Sequence, residues 1–562
     1  MRPAGKGELD SLYFDYPHFP FVCPGELKGE RKQHRVAIVG AGPVGVAAAL
    51  ELARQGVQSV LLDDKATLND GSRAICLSRH SLEILQQLGV EQQFIDKALG
   101  WTRGRSYFHD QEVYRFEMPH SEHERFLPMY NLQQQYIEQF LVDKAMESPL
   151  IEMRWQQAVS DVTQSDTGVT LRVTTPEGEY HLEADYLLAA DGGRSVVRKS
   201  FDLPLHGESY EGRYVIADVR MKSDFPTERR AFFSPSVMPE STLLVHKQPD
   251  DIWRIDYQLL PGENPDQAVT ESAIRERVGM IIEMLGEEGE WELEWWSLYK
   301  AYTLALDDYR HGRVLFIGDS AHLVPIFGVR GLNNGLADAV NAAWKLAWVL
   351  KGEASEKLLE SYSPERRGAT LEVFANAGKS TRFMTPPSQG YRLMRDAALS
   401  LALRNDYASR FADPRQVTPY TYAESSVTAE DDKGFSAGPI PGAPLINRRL
   451  GENNFLLDHL GTGFNLLVFS EDGGVTPELQ AALVDLQKHY SSLDVLVIAR
   501  HASPAFFTTL IDHQGACFDG YDASAGSAYL VRPDRHITAR WKALNAASLS
   551  TAFKTALGEE CS

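Results

Sequence analysis

Three short stretches of this chain set glycine beside a helix start or a carboxylate, each directly after an apolar run. Gly40-Ala41-Gly42-Pro43-Val44-Gly45 follows Val36-Ala37-Ile38-Val39, Asp191-Gly192 follows Tyr186-Leu187-Leu188-Ala189-Ala190, and Gly318-Asp319 follows Val314-Leu315-Phe316-Ile317. Glycines in the first pattern let backbone N–H groups approach a pyrophosphate at a helix N-terminus, where the helix dipole favours negative charge. Pro43 suits a first helical turn, where its missing N–H costs nothing. Asp63 follows the next apolar run, eighteen residues after Gly45. A carboxylate there accepts hydrogen bonds from an adenosine ribose and disfavours a 2′-phosphate. Asp319 stands at a sharp turn suited to holding a ribityl hydroxyl. Beyond it come His322, Pro325 and Gly328-Val329-Arg330-Gly331-Leu332-Asn333-Asn334-Gly335. This run opens a second helix whose amides face any anion there, and a reduced flavin is negative at N1/O2. A GxGxxG loop alone fits NAD as well as FAD. The three stretches in this order point to one long dinucleotide, FAD, wrapped by distant parts of the chain.

Positioning these turns requires a strand–turn–helix–strand unit from about Arg35 to Leu62, which implies a parallel sheet. Residues 151–190 read as strands leading to Asp191. The stretch from about 205 to 300 is β-rich, broken by an amphipathic helix at about 268–286, and reads as a second domain inserted into the first. The chain returns to the parallel sheet at Val314 and enters a helix near Asn334–Leu350, with Leu336, Val340, Trp344 and Ala347 on its apolar stripe. After about 436 a fresh α/β pattern begins. The expected organisation is an arm at 1–33, a discontinuous dinucleotide domain at 34–204 and 301–390, and a substrate-binding β-sheet domain at 205–300. A connecting segment at 391–435 and a last α/β domain at 436–562 complete it.

A chain of 562 residues exceeds one ordinary core. Its formal charge of -21 argues against nucleic acid or an anionic membrane as partner, since both need basic patches. Cys23, Cys76, Cys517 and Cys561 lie far apart with no CxxC. Neither a disulfide framework nor a metal site is expected, and a reducing, cytoplasmic compartment fits. Arg2, Lys6, Glu8 and Asp10 deny the N-terminus the apolar core of a signal peptide. No apolar run approaches the ~18–20 residues of a membrane span.

With these fingerprints the chain resembles the single-component FAD-dependent aromatic hydroxylases, the family of 4-hydroxybenzoate hydroxylase, phenol hydroxylase and 3-(3-hydroxyphenyl)propionate hydroxylase. The resemblance covers about residues 35–385 and implies a Rossmann-like FAD-binding domain with an inserted β-sheet substrate domain. It places Arg73, within Ser72-Arg73-Ala74-Ile75, on the FAD pyrophosphate and Gln134, four residues before Glu138, on the flavin side chain. Asp191-Gly192-Gly193-Arg194 resembles a fingerprint that serves both FAD and NADPH, with Arg194 either a nicotinamide-diphosphate contact or a surface ion pair. The cofactor contacts it implies are Gly40, Gly42, Pro43, Gly45, Asp63, Arg73, Gln134, Asp191, Gly192, Arg194, Gly318, Asp319, Pro325, Gly331, Leu332 and Asn333. Glu365-Arg366-Arg367 resembles the family's helix segment after the second site. The tail from about 436 resembles the thioredoxin-like extension of the phenol-hydroxylase branch. Without CxxC it has no thiol redox role, and it allows a homodimer contact.

Three departures stand out. Asp63-Asp64 replaces the family's frequent Glu-Arg, which keeps the acid and loses the basic contact. Phe327-Gly328-Val329-Arg330-Gly331 replaces Phe-Gly-Gly-Gln-Gly, so Arg330 is either a charge near the flavin or a solvated arginine. Ile326 stands where a second proline would contact substrate.

The resemblance also implies the reaction. NADPH or NADH gives hydride to flavin N5, O2 yields a C4a-hydroperoxide, and its distal oxygen attacks a phenolic ring ortho or para to the hydroxyl. The protein excludes water, orients this small aromatic substrate and promotes phenolate formation. Strand 253–258 is expected over the flavin, with Arg254, Asp256 and Gln258 on one face and Trp253, Ile255 and Tyr257 on the other. Tyr257 either hydrogen-bonds the phenol or packs in the core. His322 either acts in the chemistry or supports its loop. With Arg330 these are the candidate catalytic residues, and Cys76 is expected to be packed. Competing readings are an FAD-dependent oxidoreductase or epoxidase acting on a non-phenolic substrate, and a non-catalytic flavin-binding sensor. A flavin halogenase would show Trp-x-Trp-x-Ile, which Trp295-Trp296 does not match.

Overall fold

The computed structural model describes residues 9–260, 262–325, 328–410, 419–490, 492–501 and 506–559. Ile326, Phe327 and Cys561 lie outside the described residues, and with them the expectation about the missing proline. In chain order the elements that matter here begin with β1 (Gln33–Val39), α1 (Pro43–Arg54), β2 (Ser59–Leu62), β3 (Cys76–Ser78), α2 (Gln134–Met146) and β4 (Gly178–Ala189). Then follow β5 (His206–Met221), β6 (Arg229–Phe233), β7 (Thr242–Lys247), β8 (Ile252–Gln258), α3 (Glu271–Met284) and β9 (Trp291–Ala305). Last come β10 (Val314–Phe316), α4 (Gly331–Lys351) and α5 (Tyr362–Met384).

Buried on both faces, β2, β10 and the Val36–Val39 part of β1 are near-continuous apolar runs, as parallel strands under helices must be. They lie in the order β10, β4, β1, β2, Ile151–Arg154, each parallel to its neighbour. Parallel pairing brings their carboxyl ends, and the turns that follow, to one edge of the sheet.

A second sheet runs His322–Leu323, β9, β5, β8, β7, β6, Arg103–Phe108, Gln111–Glu117. One face packs α3: Val215, Val245, Trp253, Ile255 and Tyr257 share a core with Ile274, Val278 and Ile281. This sheet is not confined to the expected 205–300. β6 pairs in parallel with Arg103–Phe108, a contact between distant segments that no local pattern announces.

The C-terminal sheet has the order Thr508–Ile511, Leu493–Ala499, Phe464–Ser470, Ala528–Val531, Ile537–Trp541. The first three strands are parallel and the last two antiparallel, with helices Pro477–His489 and Ala546–Ala556 alongside. Trp344 and Trp348 of α4 meet Phe464 edge-on and sit inside this core. Near the N-terminus Phe14 and Phe19 are buried, and Phe19 stacks on Trp155 at 4.2 Å. No helix among the described residues is long and apolar enough to cross a membrane.

Candidate active site

Four adjacent strand ends deliver the expected residues in one line: Asp63 after β2, Gly40 after β1, Asp191 after β4, and Gly318-Asp319 after β10. Gly40 (φ 105) passes so close to the second turn that a Cβ would lie 2.4 Å from the Ala190 carbonyl oxygen. At Gly45 a Cβ would lie 2.0 Å from the Gly40 oxygen. These two glycines let backbones meet. Gly42 is different, because the nearest atom to its Cβ would be Asn69 Nδ2 at 4.0 Å. That open space adjoins the start of α1, where no side chain caps the helix, and α4 also starts without a side-chain cap. Val44 brings the two helix starts together, 3.2 Å from a Cβ at Gly318 and 2.7 Å from one at Gly335. Two uncapped helix starts and a glycine with room beside it fit a dinucleotide diphosphate and an anionic ring edge.

The carboxylates fit its sugars. Asp63 is buried, and its Oδ2 accepts from the Ala41 amide at 2.7 Å while Oδ1 accepts from the Lys65 amide at 3.0 Å. Burial raises its carboxyl, against Lys65. Lys65 Nζ lies 3.4 Å from Asp63 and 3.7 Å from Asp64, so a lysine two residues on supplies the basic contact that Asp64 removes. Asp191 Oδ2 accepts from the Val197 amide at 3.1 Å, and its Oδ1 is buried with no partner among the described residues. Gly192 (φ 74) has open space beside it, and Arg194 is exposed. Asp319 is solvent-accessible, yet dense surroundings raise its carboxyl by desolvation, with His322 and Arg73 opposing. Those two facts agree if Asp319 lines a deep cleft.

The arginine segment is anchored from α2. Gln134 Oε1 accepts from the Arg73 and Ala74 amides at 3.2 and 3.1 Å, and its Nε2 donates to Glu138 Oε1 at 2.7 Å. Glu138 also accepts from the Asn69 amide and side chain, both at 2.8 Å. The fold thus uses Gln134 to fix the backbone that presents the exposed Arg73. Glu138 and Asn69 were not expected; one helical turn from Gln134 to Glu138 was the available signal.

His322 is tied to Asp338 of α4. It is fully buried, with Nε2 2.6 Å from Asp338 Oδ2. Asp338 also accepts from the Gly318 amide at 3.1 Å and from Arg366 Nε at 2.6 Å, so this cluster holds the third turn from behind. Arg198 ties the second and third turns, donating to Gly193 O at 2.8 Å and Ser320 O at 2.9 Å. Pro325 is buried and Gly331 and Leu332 are half-buried. Asn333 staples α4 to β3: its Oδ1 accepts from the Ser78 amide at 2.9 Å and its Nδ2 donates to Cys76 O at 3.0 Å. Cys76 is packed, its thiol pushed up to about 12 by burial.

Tyr257 is fully buried on the α3 face of its sheet, so the core alternative is the one the fold adopts. The opposite face of β8 reaches the cofactor segment instead. Arg254 Nη1 donates to Arg73 O at 3.0 Å and Nη2 to Ser72 O. Arg330 is not a surface arginine. It is 7% exposed, its Nε has no partner among the described residues, and burial lowers its pKa with Glu372 opposing.

Val329 holds φ at 52°, a genuine outlier for a β-branched residue. The left-handed region costs such a residue ~1–2 kcal/mol, and glycine's extra backbone freedom gives back ~0.5–1. Val329→Gly is therefore expected to stabilise the protein by ~0.5–1 kcal/mol, read as a higher urea midpoint at unchanged m. A lower midpoint would show that its packing near Ile75, Cys76 and Trp101 outweighs the strain.

Comparison with known proteins places the chain among flavoproteins. The family described as FAD binding domain matches residues 33–377. A 3-(3-hydroxy-phenyl)propionate/3-hydroxycinnamic acid hydroxylase of Burkholderia vietnamiensis is 26% identical over 540 residues, 93% of this chain and 96% of that protein. A relative of the same description from Mycobacterium sp. is 27% identical over 535 residues, 92% of this chain and 91% of its own length. The crystal structure of the flavin-dependent monooxygenase PieE with FAD and substrate has a TM-score of 0.77 at 22% identity, covering 94% of this chain and 100% of that one. The last likeness is one of fold.

Proposed function

The chain belongs to the FAD binding domain family, and from that premise we propose that it is an FAD-dependent monooxygenase that uses NADPH or NADH and O2 to hydroxylate a phenolic or related aromatic compound. The observation that carries the reading is the line of Asp63, Gly40–Gly45, Asp191 and Asp319 along one sheet edge, with Arg254 of the second sheet bonded to the Ser72-Arg73 backbone beside it. The names of the relatives support the aromatic class.

Bound FAD supplies the redox chemistry, accepting two electrons from NAD(P)H and placing one atom of O2 on the ring. The chain's residues do the rest. Amides at the starts of α1 and α4 hold negative charge. Asp63 and Asp319 accept from ribose and ribityl hydroxyls, and the exposed Arg73 offsets diphosphate charge. Arg194, also exposed, offers a charge to the incoming nicotinamide nucleotide. The apolar cluster of Ile75, Trp101, Met118 and Met129 keeps water from the reacting ring.

The purified protein is expected to be yellow. A panel of phenols should accelerate NAD(P)H oxidation, and each product should gain ~16 mass units, one oxygen atom. The same assay separates NADPH from NADH. If no aromatic compound accelerates NAD(P)H consumption, the hydroxylase reading fails and a flavin-binding sensor takes its place.

A further inference from the structure

The sheet face that carries Arg254 also carries a polar cluster that the cofactor site does not use. Strand register fixes its layout. Asp218, Arg254 and His246 form one cross-strand row across β5, β8 and β7. Arg229 extends that row, because it precedes the paired Arg230 on β6. The next row is Ile216, Asp256, Leu244 and Ala231. Asp256 is therefore a lone carboxylate in an apolar row, with side chains ~4.5–5.5 Å apart across strands.

Asp218 and Arg254 neutralise each other through two bonds, at 2.8 and 2.7 Å. Asp256, Arg229 and His246 have no such arrangement. None is more than 7% exposed, yet Asp256 Oδ1, Arg229 Nε and His246 Nδ1 lack partners among the described residues. Buried polar atoms need partners, and a ligand with a hydroxyl group would supply them to the three on this face. The cluster adjoins the segment assigned above to the cofactor, since its neighbour Arg254 grips the Ser72-Arg73 carbonyls.

We propose that Asp256 accepts the hydroxyl proton of the aromatic substrate and that Arg229 offsets the charge left on the ring oxygen. The proposal rests on the hydroxylase reading above. The substrate O–H bond breaks, its proton joins a carboxylate oxygen of Asp256, and the electron pair stays on the substrate oxygen. One negative charge moves from the carboxylate to the ring, which becomes richer in electrons where oxygen is to be added. The acid form of Asp256 later returns the proton to the product.

The surroundings suit a base that works near neutral pH. Burial raises the Asp256 carboxyl to about 7, with Arg254 and Arg229 opposing and Asp218 assisting. His246 is held well below its ordinary range by burial, then by Arg229 and Arg254, and is neutral at pH 7. Cys76 and Tyr214 are pushed up by burial and stay protonated.

The test is Asp256→Asn as FAD-loaded enzyme, assayed on phenol substrates carrying increasing numbers of ring fluorines. For the unfluorinated phenol kcat/KM should fall ~10²–10⁴-fold, the usual worth of a general base. The deficit should shrink as fluorination makes the phenol more acidic. Wild-type kcat/KM should rise towards a plateau above about pH 7, and the variant should lose that limb. Arg229→Met should raise the pH at which a bound fluorophenol ionises, read from its ultraviolet difference spectrum without turnover. That spectrum decides the matter if Asp256→Asn does not load FAD. An equal deficit for every fluorophenol, an unchanged pH limb, or an unchanged ionisation pH in Arg229→Met overturns the assignment while the hydroxylase reading stands. If wild-type enzyme hydroxylates no phenol, that reading fails first and the assignment with it.

Discussion

Gly45→Ala should give a colourless, destabilised protein, whereas Gly42→Ala should give a colourless protein of normal stability. The two glycines are three residues apart in one loop, but they meet different things. A methyl at Gly45 lands 2.0 Å from the Gly40 carbonyl oxygen, a backbone atom of the turn that joins β1 to α1. Relief requires α1 to move off β1, and overpacking of this kind costs ~1–3 kcal/mol or more. At Gly42 the backbone is extended (φ -70, ψ 173), which alanine adopts freely. Its methyl meets nothing nearer than 4.0 Å, so folding should not suffer. It does enter the space beside the uncapped helix start. Loss of even two charge-assisted bonds to a diphosphate, at ~1.5–3 kcal/mol each, weakens FAD at least ~100-fold. Thermal unfolding of the apoproteins and flavin fluorescence titration distinguish the cases. If Gly42→Ala retains wild-type FAD affinity, the diphosphate does not sit at the start of α1.

The contrast also shows how far the sequence could be followed. The three turns were legible because each is a local event: an apolar strand, then glycine or acid where the strand must stop. Their alignment followed from parallel pairing alone. The alternation of β8 was legible too, since Arg254, Asp256 and Gln258 interrupt an otherwise apolar strand every second residue. What could not be read was which face looks at the cofactor. That depends on Arg254 reaching the carbonyls of Ser72 and Arg73, some 180 residues earlier. Choosing Tyr257 amounted to choosing the α3 face. His322 shows the same limit at shorter range. Its place on the third turn left chemistry and loop support both open, and the partner of its Nε2, Asp338, lies sixteen residues on in a different element. Arg330 was weighed as a charge near the flavin or a surface group; the fold removes the surface alternative by burying it, with Glu372 of α5 opposing the effect of burial.

Glu365→Gln should destabilise the protein by ~3–5 kcal/mol, the cost of removing one partner from a buried ion pair. Glu365 lies on α5 and is almost wholly buried. Its Oε1 accepts from Arg532 Nη1 at 2.7 Å and Ser425 Oγ at 2.6 Å. Its Oε2 accepts from Arg532 Nη2 at 2.9 Å, Lys345 Nζ at 2.6 Å and Asn341 Nδ2 at 2.8 Å. Arg532 follows strand Ala528–Val531 and also grips Asp534 at 2.6 Å, so one carboxylate joins α4, α5 and the C-terminal sheet. Burial alone would raise its carboxyl, but Arg532 and Lys345 outweigh burial and hold it well below the usual range. Burial wins at Lys345, whose ammonium sits at about 8. A carboxyl depressed in the folded state stabilises above its unfolded pKa of ~4.3 and loses that contribution as pH falls further. Wild-type stability should therefore drop below about pH 4.3 more steeply than that of Glu365→Gln, measured by urea unfolding from pH 3 to 7. The effect should reach the cofactor, because the other end of α4 carries Asn333 and Asp338, which fix β3 and the Asp319 turn. Reduced FAD affinity in Glu365→Gln at temperatures where it remains folded would make the C-terminal sheet a brace for the flavin site. Unchanged affinity would confine the ion cluster to holding the two parts of the chain together.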